Sequence, residues 1–83
     1  MPNVTLSKGV PTDLYLATGI SVGTQITIQN ITGNRVRLAT SQLGLTEDYR
    51  VMDQNQTGTN KAADTGAWAL CTLGDCEINV RVV

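Results

Sequence analysis

A chain of 83 residues holds enough apolar side chains for one core, so a single β domain over 1-83 is expected. A hydrophobic fraction of 41% and a charged fraction of 16% exclude the composition of a disordered chain, and no apolar run is long enough for a membrane span. A net charge of -1 supplies no basic field for nucleic acid, and the absence of histidine removes the commonest general base and metal ligand; a non-enzymatic module with no cofactor and no metal is the expectation.

Thr, Val and Ile together make up 25 of the 83 residues, and β-branched side chains pack better on a pleated sheet than in a helix. With turn residues at short intervals, this predicts an all-β fold, a small antiparallel β-sandwich or barrel of about six to eight short strands. The chain has no Phe, one Trp and two Tyr, so its core is mainly aliphatic and thin. Thinness predicts that apolar surface is buried on another chain, as a homo-oligomer or on a larger assembly.

In chain order, Val4–Ser7 and Asp13–Ala17 read as two short strands separated by Lys8-Gly9-Val10-Pro11-Thr12. The stretch Met1–Lys8 lacks a charged segment followed by an apolar one, so synthesis in a cytosol is expected. Gly19–Gly23 is a connector without the Lys of a phosphate loop. Thr24–Asn30 alternates strictly and places Ile26 and Ile28 on one face. Arg35–Thr40 alternates again, with Val36 and Leu38 inward, and the turn Ile31–Asn34 suggests that these two strands form a hairpin. Ser41–Asp48 reads as loop, because Gly44 interrupts it and no helical stripe follows. Tyr49–Met52 is a short strand and Asp53–Asn60 a polar surface loop. Ala67–Cys71 and Cys76–Val82 read as a second hairpin, with Ile78, Val80 and Val82 on one face and Trp68 as the central core residue.

Cys71 and Cys76 flank a four-residue turn that places them opposite one another, and two states stay open: a disulfide or a pair of buried thiols. No further Cys or His completes a zinc site. Asp53–Asp64 overlays a calcium loop, with oxygen ligands at positions 1, 3 and 5, Gly58 at 6 and an acid at 12. Thr57 in place of an acid, the short Asp64, the positive Lys61 and the lack of flanking helices favour an ordinary loop. The acid pairs Glu47 with Asp48 and Asp75 with Glu77 read as turn chemistry rather than as a catalytic dyad.

Gly9–Asn30 and the later Thr65-Gly66-Ala67-Trp68-Ala69 resemble small proteins encoded among the virion structural genes of tailed bacteriophages. The resemblance implies a β-rich accessory component of a capsid, neck or tail, made in the bacterial cytoplasm and ending on the virion. Its partners would be the major capsid protein or another virion protein, with a trimer as one arrangement for clamping neighbouring shell subunits through multivalent contacts. A competing expectation is a glycan- or receptor-binding β module, with the Asp53–Asn60 loop as contact and Trp68 or Tyr49 as stacking surface.

Overall fold

The computed structural model describes residues 3–31, 34–60 and 66–83. Eight strands and two short helices follow in the order β1 (Asn3–Leu6), β2 (Thr12–Asp13), α1 (Leu14–Thr18), β3 (Ile26–Asn30), β4 (Val36–Ala39), α2 (Gly44–Glu47), β5 (Arg50–Met52), β6 (Thr57–Thr59), β7 (Trp68–Cys71) and β8 (Cys76–Val82). They form two four-stranded sheets, β1-β8-β3-β6 and β2-β7-β4-β5, in which every pairing is antiparallel. The fold is a small all-β sandwich.

Rank by rank, the two sheet orders match: each strand's counterpart in the other sheet is its neighbour in sequence. The links β1–β2, β3–β4, β5–β6 and β7–β8 are therefore arches that cross from one sheet to the other, over a gap of roughly 10 Å between packed sheets. Because all pairings are antiparallel, the four arches fall at one end of the sandwich. The longer links, which carry α1 and α2, fall at the opposite end, where β6 also ends and β7 begins.

This topology corrects both expected hairpins. Ile26–Asn30 and Val36–Ala39 lie in different sheets, as do Trp68–Cys71 and Cys76–Val82. A turn of four or five residues suits an arch as well as a hairpin, and each of these strands has an apolar face to bury against the other sheet. The alternation itself has the expected effect: Ile26, Ile28, Val36, Leu38, Ile78 and Val80 all point into one core cluster, joined by Val4, Leu6, Leu14, Tyr15 and Met52. Val82 shares their side of β8 but lies 57% exposed, beyond the core.

Two stretches expected to be non-helical contain helical turns. Asp13, at the end of β2, caps α1 by accepting from Tyr15 N (3.1 Å) and Leu16 N (3.3 Å), and Gly19 closes it in the left-handed region with φ 75°, donating to Tyr15 O. An Asp and a Gly six positions apart are helix start and stop signals, but five residues are too few to display a 3.6-residue period. α2 is a single turn held by Ser41 Oγ, which accepts from Gly44 N at 3.0 Å, and it buries Leu45 over the outer face of β4 and β7. The expected loop Asp53–Asn60 contains a strand, since Thr57–Thr59 pairs with Gln29–Thr27 of β3.

Candidate functional site

At the arch end, polar groups are consumed by the fold. Cys71 closes β7 and Cys76 opens β8, and the two form a disulfide with a Cα–Cα separation of 6.3 Å. The bond spans the two sheets rather than the rungs of one hairpin, and both cysteines are buried. Around it, Gly9 N donates to Cys71 O (2.7 Å), Lys8 N to Asp75 Oδ1 (2.8 Å) and Asn34 Nδ2 to Asp75 O (3.2 Å). Asn30, fully buried, donates from Nδ2 to Asn34 O (2.6 Å) and Met52 O (3.1 Å), and so ties three elements together. Of the calcium-loop candidates, the Asp53 carboxylate accepts from Arg35 Nε at 2.9 Å and Thr57 sits in β6. Asp53 and Asn55 lie in the turn between β5 and β6, Thr57 lies in β6, and Asp64 lies outside the described residues. Among the described residues no group of three or more His, Cys, Asp or Glu is placed to hold a metal ion.

At the helix end the termini of β4, β5, β6 and β7 converge on a cavity of about 420 Å³. Ile28, Leu38 and Ala67 give it an apolar wall; Thr40, Asp48, Tyr49, Arg50, Thr59 and Trp68 give it polar and aromatic groups. Trp68 is thus not the core centre expected of it. Ala69 and Cys71 take the inward positions of β7, as does Ala67 just before it, and strand alternation turns Trp68 to the other face, half-buried. Small side chains on β7 match the large Ile28, Leu38 and Ile78 within the same thin core.

The site is held by three devices. First, Asn60 accepts from Ile26 N through Oδ1 (2.6 Å) and donates to the Tyr15 hydroxyl (2.6 Å), which donates to Thr24 O (2.7 Å). Second, Arg37 donates to Leu45 O (3.4 Å) and lays its guanidinium 4.3 Å from the centre of the Tyr49 ring, which fixes that ring against α2. Third, Arg50 Nη2 donates to Thr59 O (3.3 Å) and joins β5 to β6 at the mouth. Gly66 is required where β7 begins, because a Cβ there would lie 2.4 Å from Thr40 O.

Several polar atoms at this mouth have no partner among the described residues: the Trp68 indole N–H, the Tyr49 hydroxyl and the Asp48 carboxylate. Sequence reasoning singled out Tyr49 and Trp68 as aromatic surfaces but read Asp48 as turn chemistry and missed Arg50 and Tyr15. The signal for Arg50 is its register opposite Leu38, which directs its side chain to the inner face of the sheet. From the expected Asp53–Asn60 contact loop, only Thr59 and Asn60 reach the cavity. No protein-family model, curated protein or solved structure matches this chain.

Proposed function

We propose that this chain is a structural component of a tailed-phage virion, a capsid decoration or minor accessory protein that binds and stabilises neighbouring shell subunits and catalyses nothing. The observation that carries the reading is the apolar surface on and after α1. Leu16 is 83% and Val22 62% exposed, and both line a shallow depression with Ile20, Gly19 and Tyr15. Leu16 stands on a helical turn fixed by Asp13 at one end and Gly19 at the other, so little conformational freedom remains to be lost on docking. This surface lies within the stretch that resembles phage virion proteins, Gly9–Asn30. An exposed apolar patch rimmed by polar groups is the usual form of a protein-docking site.

In this reading the chain is made in the bacterial cytoplasm and ends on the particle, where a homo-oligomer, with a trimer as one arrangement, presents several copies of the α1 face to the shell. Linked contacts that are individually weak then dissociate slowly. Mass spectrometry of purified particles tests this. The chain is expected at a fixed copy number relative to the major shell protein, and Leu16→Asp is expected to remove it from particles while the free protein keeps its fold. Absence from particles, or full incorporation of Leu16→Asp, contradicts the reading.

A further inference from the structure

We propose that the cavity at the helix end is a binding site for a neutral saccharide, with Trp68 as the apolar surface under the sugar ring and Asp48, Arg50 and Tyr49 as the groups that bond its hydroxyls. The inference is independent of particle docking: the cavity lies among β4, β5, β6 and β7, whereas α1 packs beside β1 and β2.

Four observations support it. The volume of about 420 Å³ falls in the range of roughly 300–1,000 Å³ typical of small-molecule pockets. An apolar wall of Ile28, Leu38 and Ala67 faces a rim of donors and acceptors, the combination that suits a ring with C–H faces and hydroxyl edges. The indole N–H of Trp68, the hydroxyl of Tyr49 and the carboxylate of Asp48 have no partner among the described residues, so they meet a ligand without first breaking a bond within the fold. Finally, among the described lining residues the carboxylate of Asp48 and the guanidinium of Arg50 carry opposite charges that balance, which disfavours a charged ligand of either sign. Arg37 already occupies one face of Tyr49, so that residue contributes its hydroxyl or its free face. The site is pre-formed because the Asn60–Tyr15–Thr24 bonds hold the link into β3 and the Arg37–Leu45 bond holds α2.

Trp68 is the chain's one tryptophan, so its fluorescence reports on this cavity directly. The isolated protein is first screened on a glycan array, and each neutral hit is titrated as a free oligosaccharide and as its constituent monosaccharide. The expected result is saturable change in Trp68 emission with a neutral oligosaccharide, weakened at least about tenfold by Asp48→Asn, which removes a charge-assisted hydrogen bond from an exposed position. Trp68→Ala is expected to abolish binding on the array while circular dichroism still shows the β fold. Arg81→Ala, on β8, which contributes no described residue to the cavity, is expected to bind as the parent does. No neutral hit, binding only to anionic glycans, or a neutral hit whose affinity is unchanged in both Asp48→Asn and Arg50→Ala overturns the proposal. A monosaccharide that binds as tightly as its oligosaccharide identifies a free sugar as ligand; a large gain with length identifies a surface glycan.

Discussion

At the arch end of the sandwich, four short links cross between the sheets and are joined by a disulfide, by the Asp75 contacts and by the buried Asn30; at the helix end, the links are longer, carry α1 and α2, and leave a cavity. Backbone bonds at the two ends are equally short: Gly9 N to Cys71 O is 2.7 Å and Asp48 N to Gly44 O is 2.8 Å. What differs is their reach. The arch-end bonds Gly9 N to Cys71 O, Ile31 N to Glu77 O and Asn55 N to Asn30 O join residues far apart in sequence, whereas Gly19 N to Tyr15 O and Asp48 N to Gly44 O close the single turns of α1 and α2. A long-range bond breaks only when sheets separate, and a one-turn helix opens alone. In a thin-cored protein this division gathers the single-turn helices at one end, which is also where the exposed Leu16 and the open rim of Asp48, Tyr49 and Trp68 lie.

The comparison is sharpened first by the core beneath the arches. Ile78→Ala empties a fully buried position on β8, next to Cys76, and is expected to cost about 3 kcal/mol, read as a lower urea midpoint with an unchanged slope. Removing the disulfide with Cys71→Ser and Cys76→Ser together frees a short loop and is expected to cost about 2 kcal/mol, lowering the thermal midpoint by roughly 10 °C. Trp68 emission of the folded double variant is expected to match the parent, because the cavity is at the other end. Tyr15→Phe acts at the helix end: it leaves the buried Asn60 Nδ2 without its 2.6 Å partner and is expected to cost about 1 kcal/mol. Unlike the two arch-end changes, it is expected to shift Trp68 emission before global unfolding. An emission shift from the disulfide variant, or none from Tyr15→Phe, would break the division.

Much of the sandwich is legible in the chain because period-two alternation survives into the structure: Ile26 with Ile28, Val36 with Leu38, and Ile78 with Val80 are buried pair by pair. Partnering is less legible. The link Thr72-Leu73-Gly74-Asp75 is compatible with a hairpin or an arch, and only the need of two half-apolar sheets to face one another selects the arch. The same global constraint turns Trp68 outward, against the local rule that the largest apolar residue lies deepest, because Ala69 and Cys71 set the inward register of β7. α1 is marked in the chain by its caps, Asp13 and Gly19, which compete with the strand-like alternation of Leu14 and Leu16. The cavity was not readable, since its walls come from four strand ends that meet only after both sheets have formed.

The division between an end tied across the sheets and an end of single-turn helices is tested most directly by native-state hydrogen exchange of individual amides. Gly9, Ile31 and Asn55 are expected to exchange only with global unfolding, while Gly19, Thr24 and Asp48 exchange through local openings of lower free energy. Equal protection at both ends, or faster exchange at Gly9 and Asn55 than at Gly19 and Asp48, would contradict the account.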